Sequence, residues 1–306
     1  MFSEAASTIA TKVDSAFLFI LWICVFMLAL ITFLMVYFVI KYRRDKNPTP
    51  TNIEGNFLLE VAWTVIPTIL VMAMFYYGWI GYQEMENVPA DAMAVKVTGQ
   101  MWSWSFEYDN GKTSNELAVP LGKPVKLNLY SRDVLHSFYV PAFRVKKDVV
   151  PGVKNFLWFT ADEEGTYDIF CTEYCGVRHS SMLAKVVVMA EEKFDAWLTG
   201  EGVSDHEKKE PAGRELMEVK GCLGCHSLDG SKIVGPSFKG IFGRTAQVVT
   251  DGKEREIVVD EDYLRRSILK PNADVVAGYP GIMPSQEGLL TDSEFDAIIQ
   301  YLKTLE

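Results

Sequence analysis

Histidine and cysteine are scarce in this chain, whose 306 residues include only four histidines and five cysteines. No histidine lies in either of the two long hydrophobic runs, so no haem or metal inside a membrane could be held by an imidazole of this chain. Basic residues are also outnumbered, 30 against 40 acidic ones, which gives a net charge of −10. Nucleic-acid binding is therefore disfavoured, because a phosphate backbone requires a basic surface.

The two hydrophobic runs lie within the first 83 residues. Phe17–Ile40 has 24 residues without a charged side chain, and Trp63–Gly81 has 19. At about 1.5 Å per residue, either run can span a lipid bilayer as a helix. The loop between them carries four basic residues, Lys41, Arg43, Arg44 and Lys46. The positive-inside rule places that loop in the cytoplasm, so residues 1–83 are predicted to form a transmembrane hairpin with the rest of the chain outside.

Residues 84–199 have the pattern of a β-sheet domain. Trp102, Trp104, Phe106 and Tyr108 alternate with polar neighbours, at the period of two that a strand requires. Several short strands punctuated by proline and glycine predict a sandwich or barrel. Residues 200–210 form a polar linker, and residues 211–306 have the apolar spacing of helices.

A compact set of soft metal ligands lies between two predicted strands. Cys171, Cys175, His179 and Met182 fall within twelve residues. Thiolate, imidazole and thioether together favour copper over calcium, magnesium or manganese. Two thiolates could bridge two copper ions. A disulfide or a zinc site are the alternatives, but neither explains Met182.

Such a copper site needs another imidazole from elsewhere in the chain. The remaining candidates are His136, His206 and His226. His206 lies in the linker and His226 belongs to a second motif, so His136, which follows a predicted strand, is the expected ligand.

The second motif is C-x-x-C-H, formed by Cys222, Cys225 and His226. This spacing attaches haem c through two thioether bonds, with His226 as the proximal iron ligand. Zinc would need two more ligands, and residues 227–306 contain no cysteine and no histidine. They contain one methionine, Met283, which is the expected second iron ligand. Met217, upstream, lies in the helix that leads into the motif and is expected in the core.

Residues 15–190 closely resemble subunit II of cytochrome c oxidase, the haem-copper terminal oxidase. The resemblance rests on the hairpin and on the segments QMWSWSFEY, DVLHSF and CTEYCGVRHSSM. It implies a cupredoxin Greek-key barrel with a dinuclear copper A centre. The implied ligands are His136, Cys171, Cys175, His179, Met182 and the backbone carbonyl of Glu173. The resemblance also gives the Glu173 side chain to a magnesium ion shared with subunit I.

Residues 205–306 resemble a class I cytochrome c, so the whole chain resembles a caa3-type subunit II with a fused cytochrome domain. The implied fold is a multidomain membrane protein: a two-helix transmembrane hairpin, an all-β cupredoxin domain and an all-α cytochrome c domain. Electrons would pass from a donor, either cytochrome c or a quinol-oxidising complex, via haem c to copper A and on to subunit I. There, oxygen reduction would be coupled to proton pumping. The implied location is the bacterial cytoplasmic membrane, with both soluble domains on its outer side.

Two further residues have roles in the family at matching positions. Trp102 occupies an aromatic motif that relays electrons to copper, although alternating aromatics also pack a barrel. Glu60 matches a glutamate at the mouth of a proton channel of subunit I, although an acid at a helix start is favourable on its own. The alternative functions are the electron-accepting subunit of a copper A nitric oxide reductase and a membrane-tethered copper chaperone.

Overall fold

A computed structural model describes residues 5–49, 51–52, 54–200 and 212–305. Most of the predicted linker, including His206, lies outside these ranges. The chain begins with two long helices, α1 (Thr8–Lys41) and α2 (Phe57–Glu86). Their first turns are capped by Ser7 and Asn56, whose side chains accept hydrogen bonds from backbone amides three residues on.

Both helices are long and apolar enough to cross a membrane, and their most apolar segments are unburied within this chain. Their apolar side chains therefore need lipid or a protein partner as surroundings. Each helix extends beyond the run that the sequence indicates, Phe17–Ile40 and Trp63–Gly81.

The start of α1 is packed onto the β domain. Ser7 is fully buried, and its Oγ donates a hydrogen bond to the Phe143 carbonyl at 3.1 Å. Asp14 accepts two hydrogen bonds from the guanidinium of Arg144, at 2.9 and 3.0 Å. These contacts connect the membrane helices to the soluble domain by more than the covalent chain.

The β domain consists of two five-stranded sheets, with the strand orders β3-β2-β1-β5-β8 and β4-β10-β9-β6-β7. The β1–β5 and β4–β10 pairs are parallel, so the chain crosses between non-consecutive strands as a cupredoxin-like Greek key requires. The strands are Met93–Gln100, Ser103–Tyr108, Thr113–Ser114, Leu117–Pro120, Pro124–Ser131, His136–Val140, Val145–Val149, Asn155–Thr160, Gly165–Cys171 and Leu183–Met189 (β1–β10).

The core of this domain follows the alternation that the sequence predicts. In β2, Trp104, Phe106 and Tyr108 point inward. In β5, the alternating residues Val125, Leu127 and Leu129 are fully buried. The domain ends with helix α3, Glu191–Thr199, whose Trp197 packs on the ring of Tyr108 with ring centroids 5.1 Å apart.

The C-terminal domain has a small helical core that includes Met217. Its helices are α4 (Ala212–Val219), α5 (Glu261–Leu269) and α6 (Asp292–Lys303), and α4 packs against α6. Helix α6 begins with a capping box, in which Thr291 and Glu294 satisfy each other's backbone amides.

This domain also contains a three-stranded sheet, which the prediction of an all-helical domain did not include. Strands β11 (Thr245–Thr250) and β12 (Lys253–Val258) form a hairpin, and β13 (Val275–Val276) adds to β11. The hairpin turns at Asp251–Gly252, and both residues have positive φ, 50° and 76°. Asp-Gly is a strong hairpin signal, since such a turn requires left-handed backbone at both positions.

Candidate functional site

The soft metal ligands converge at one end of the barrel. Strand β9 ends at Cys171 and β10 begins at Leu183, so the eleven residues between them form a loop held at both ends by paired strands. His136 opens β6, which pairs with β9. A loop anchored in this way positions side chains more precisely than a free one.

The spacing of the donor atoms fits a metal site. The sulfurs of Cys171 and Cys175 lie 3.8 Å apart, far beyond the bond length of a disulfide. The remaining distances are 3.8 Å from Cys171 Sγ to His136 Nδ1, 3.3 Å from Cys171 Sγ to the Glu173 carbonyl oxygen, 3.5 Å from Cys175 Sγ to His179 Nδ1, and 3.8 Å from Cys175 Sγ to Met182 Sδ. The structure thus brings together all six donors that the sequence analysis assigns to copper.

The pKa values of the two thiols are shifted in opposite directions in the metal-free chain. Burial raises the pKa of Cys171, but hydrogen bonds, above all with His136, outweigh burial and lower it to about 6. Burial and the neighbouring Cys171 charge raise the pKa of Cys175 to about 12. Bound cations would stabilise the Cys175 thiolate, so metal binding would displace the proton of this thiol.

An acid that the sequence analysis missed holds His136 in place. Asp133 Oδ1 lies 2.8 Å from His136 Nε2, which turns Nδ1 towards Cys171. Its other oxygen accepts a hydrogen bond from the backbone amide of Met101 at 2.6 Å. A carboxylate behind a ligating histidine is a common device for fixing the ring, and an acid three residues before the histidine in DVLH is the signal for it.

The C-x-x-C-H residues line a cavity in the C-terminal domain. The cavity is bordered by Cys222, Cys225, His226 and Met283. His226 Nδ1 donates to the Pro236 carbonyl at 2.8 Å, so Nε2 is left available for a ligand. The imidazole stacks on Phe238, with centroids 4.3 Å apart.

Gly235 is required beside this imidazole. A Cβ at that position would lie 2.6 Å from His226 Cε1, which is closer than real Cβ atoms approach. The glycine therefore allows the backbone to pass directly behind the histidine, a physical reason for the Gly-Pro pair at 235–236.

Two buried polar atoms on the cavity wall lack partners among the described residues. They are the Tyr263 hydroxyl and Gln286 Oε1, and both residues are at least nine-tenths buried. Buried polar atoms are normally hydrogen-bonded, so the cavity suits a large ligand that is mostly apolar but carries polar groups. Haem has this character, and the residues present fit it.

The two methionines of this domain lie in different surroundings. Met283 lies in the loop after β13 and borders the cavity together with His226. Met217 belongs to α4 and is fully buried in the core, as the sequence analysis expected, although it also borders the cavity.

Trp102 lies between the two sites. It is 5% exposed, and its indole N–H donates to the backbone carbonyl of Cys175 at 3.0 Å. Its backbone faces the C-x-x-C-H segment. If Gly224 of that segment carried a Cβ, that atom would lie 3.5 Å from the backbone nitrogen of Trp102.

Glu60, by contrast, lies near the start of α2, at the end opposite the β domain. Helix α2 continues for 26 residues to Glu86, about 39 Å at the helical rise. Glu60 is therefore remote from both candidate centres.

These features define a class of protein: a redox protein with membrane-spanning helices, a cupredoxin-like domain and a cytochrome c domain. The family model "Cytochrome C oxidase subunit II, transmembrane domain" matches residues 1–78, and the model for the periplasmic domain of that subunit matches residues 110–190. The model "Cytochrome c" matches residues 211–306.

Individual relatives agree with these matches. The chain is 32% identical over 303 residues to cytochrome c oxidase subunit 2 of Alkalihalophilus pseudofirmus, covering 94% of this chain and 86% of the relative. It is 30% identical over 307 residues to cytochrome c oxidase subunit 2 of Bacillus subtilis, covering 88% of this chain and 82% of the relative. A solved periplasmic domain of cytochrome oxidase subunit II from Bradyrhizobium japonicum is 33% identical over 38% of this chain and 96% of that one, with a TM-score of 0.36.

The chain belongs to the cytochrome c oxidase subunit II family. The expected architecture is confirmed, with two apolar helices, a cupredoxin-like β domain and a cytochrome c domain. The matched domains indicate copper A and haem c as cofactors.

Proposed function

We propose that this chain is the subunit through which electrons enter a haem-copper terminal oxidase. Electrons pass from a donor via haem c to copper A, and from there to subunit I, where oxygen is reduced and protons are pumped. The observation that carries this proposal is the position of Trp102, which touches the copper loop on one side and the C-x-x-C-H loop on the other. Two redox sites that meet at one buried residue, through its indole on one side and its backbone on the other, suit electron transfer between them.

We assign copper to the carbonyl of Glu173 and to five side chains, those of His136, Cys171, Cys175, His179 and Met182. When bound, the copper pair and the haem iron each accept and release one electron. The strand-anchored loop and β6 hold the donor side chains, of which His136, Cys171, Cys175 and Met182 are buried, and Asp133 orients His136. Such preorganisation limits rearrangement when charge changes.

In the cytochrome domain, Cys222 and Cys225 hold the haem covalently, and His226 and Met283 ligate its iron. Trp102 relays electrons between the two sites. The side chain of Glu173 holds a magnesium ion shared with subunit I, and Glu60 serves a proton path into subunit I.

The surroundings follow from the charge and hydrophobicity of the chain. Its helices lie in the lipid bilayer of a bacterial cytoplasmic membrane, with the basic loop after α1 in the cytoplasm and both soluble domains outside. The helices also contact subunit I and other oxidase subunits, and the donor is a cytochrome c or a quinol-oxidising complex. A copper chaperone is disfavoured because it would need neither Met182 nor a haem cavity, and the named relatives are oxidase subunits rather than nitric oxide reductases.

The order of electron arrival tests the proposed function. When the assembled enzyme is mixed rapidly with a reduced donor, we expect the haem c absorption to change before the copper A band. Reduction of copper A before haem c, at a rate that does not depend on haem c, would contradict the proposal.

The copper ligands can be separated by a matched pair of variants in one loop. Cys175→Ser should lower the copper content from about two ions per chain to one or none, because a bridging thiolate is lost. Glu173→Gln should keep both copper ions, since only its backbone carbonyl faces them, but should lose bound magnesium in the assembled oxidase. Metal analysis and the mixed-valence copper signal measure both results, and full copper content in Cys175→Ser would refute the assignment.

The second iron ligand is tested by comparing the two methionines. Met283→Leu should remove the sulfur-to-iron charge-transfer band of the oxidised haem and lower its potential, within the range of about 0.8 V that axial ligands span. The haem should stay attached, because the two cysteines are unchanged. Met217→Leu, a conservative change in the core, should leave the band and the potential unchanged. An intact band in Met283→Leu would show that Met283 is not the iron ligand.

For Glu60, the measurement is turnover of the assembled enzyme. Glu60→Gln should slow turnover by about tenfold or more while haem c and copper A still reduce at normal rates, because a proton-transferring group is lost. If the glutamate only stabilises the start of α2, the yield of assembled enzyme should fall and turnover per intact complex should stay unchanged.

A further inference from the structure

The haem-attachment loop of the cytochrome domain (residues 220–226) lies directly against the β domain. Gln100, the last residue of β1, donates from its side-chain amide to the Lys220 carbonyl at 2.6 Å. Arg178, on the copper loop between Cys175 and His179, donates from its guanidinium to the Gly224 carbonyl. Both acceptors are backbone atoms, so these contacts depend on the conformation of the haem-attachment loop rather than on its side chains.

The orientation of the Gln100 amide is determined by its second contact. Its Oε1 accepts a hydrogen bond from Arg132 at 2.9 Å, which leaves Nε2 to face the Lys220 carbonyl. With the domains docked, Gln100 is 6% exposed, and Ser103 Oγ at 3.5 Å is a second, longer contact of Nε2. The short bond to Lys220 is therefore a buried one.

The fit between the domains is close at the backbone. A Cβ at Gly221 would lie 2.2 Å from Gln100 Nε2 and 2.5 Å from Ser103 Oγ. Met101, also from the β domain, borders the cavity that holds Cys222, Cys225 and His226. The β1–β2 turn therefore forms part of the wall of the cytochrome domain's own cavity.

We propose that Gln100 and Arg178 form an intramolecular latch that keeps the cytochrome domain docked on the copper loop. Trp102 is enclosed between the copper loop and the cytochrome domain. The cytochrome domain is then a stationary electron acceptor, and not a carrier that moves on its linker. Both latch residues are positioning residues, because neither is a metal or haem ligand. The proposal rests on the proposed copper and haem sites, but the docking itself is a property of the polypeptide.

Two variants break the latch, one at each of its two contacts. Gln100→Glu keeps an oxygen for Arg132 but replaces the amide donor with an oxygen that faces the Lys220 carbonyl. Arg178→Gln removes the charged donor to Gly224, and Arg178→Lys, which can still donate, is the conservative variant. Arg265→Gln is the matched control, because Arg265 is a cytochrome-domain arginine that pairs with Asp296 at 2.9 Å, outside the latch.

The first measurement follows the polypeptide backbone of the chain as purified, with its cofactors bound. Hydrogen–deuterium exchange of the full chain in detergent should show protection of residues 100–103 and 220–226 in the wild type. In Gln100→Glu and Arg178→Gln, exchange in both segments should be about tenfold faster, the size expected from losing one hydrogen bond, with a charged partner in the Arg178 case. The exchange rates of Arg178→Lys should lie between those of the wild type and Arg178→Gln. Those of Arg265→Gln should match the wild type.

The second measurement follows electrons in the loaded chain. After flash photoreduction of haem c by a soluble ruthenium complex, transfer to copper should slow about tenfold in both latch variants, with haem and copper absorption spectra unchanged. Wild-type-like exchange in both variants, or rapid exchange of both segments already in the wild type, would overturn the latch. Absence of the copper or haem spectrum from the loaded wild type would instead refute the proposed function, while the exchange result would still decide the latch.

Discussion

The separation of 3.8 Å between two buried cysteine sulfurs is the constraint on which the copper site depends. Without metal, burial and the charge of Cys171 raise the pKa of Cys175 to about 12, which shows how unfavourable a second thiolate is at this distance. Cys171 ends β9 and Leu183 begins β10 in a paired register, so both ends of the loop are fixed. The barrel therefore presents a pair of sulfur donors whose second thiolate bound cations would stabilise.

Arg132 and Asp133 connect the copper loop to the neighbouring parts of the site through hydrogen bonds. Asp133 receives a hydrogen bond from the Met101 amide and contacts His136, so a copper-facing imidazole and the β1–β2 turn share a carboxylate. The preceding residue, Arg132, orients Gln100, which contacts the haem-attachment loop. Two consecutive side chains thus link the copper loop, the turn that carries Trp102 and the cytochrome domain.

Residues that act through local spacing could be predicted from the sequence, and residues that act through long-range contacts could not. Four of the proposed copper donors fall within twelve residues, and C-x-x-C-H is continuous, so the spacing in the sequence is enough to mark them as candidate ligands. Arg178 and Gly224 are 46 residues apart, and Gln100 and Lys220 are 120 apart, so nothing local marks their pairing.

The partnerless Tyr263 and Gln286 are equally invisible in the sequence, since their significance lies in the cavity that they border. The β11–β12 hairpin differs from these cases. Its Asp-Gly turn is a local signal in the sequence, so this hairpin was predictable.

The burial of Trp102 changes how this residue can act. A relay residue that accepts electrons from an external protein must be accessible, yet Trp102 is 5% exposed and has the copper loop on one side and Gly224 on the other. Under the proposed function, an external donor would therefore meet the cytochrome domain, where residues 201–306 carry 19 acidic and 13 basic side chains. An acidic domain would attract a basic donor surface, and the proposed step to copper would cross a buried contact within the chain.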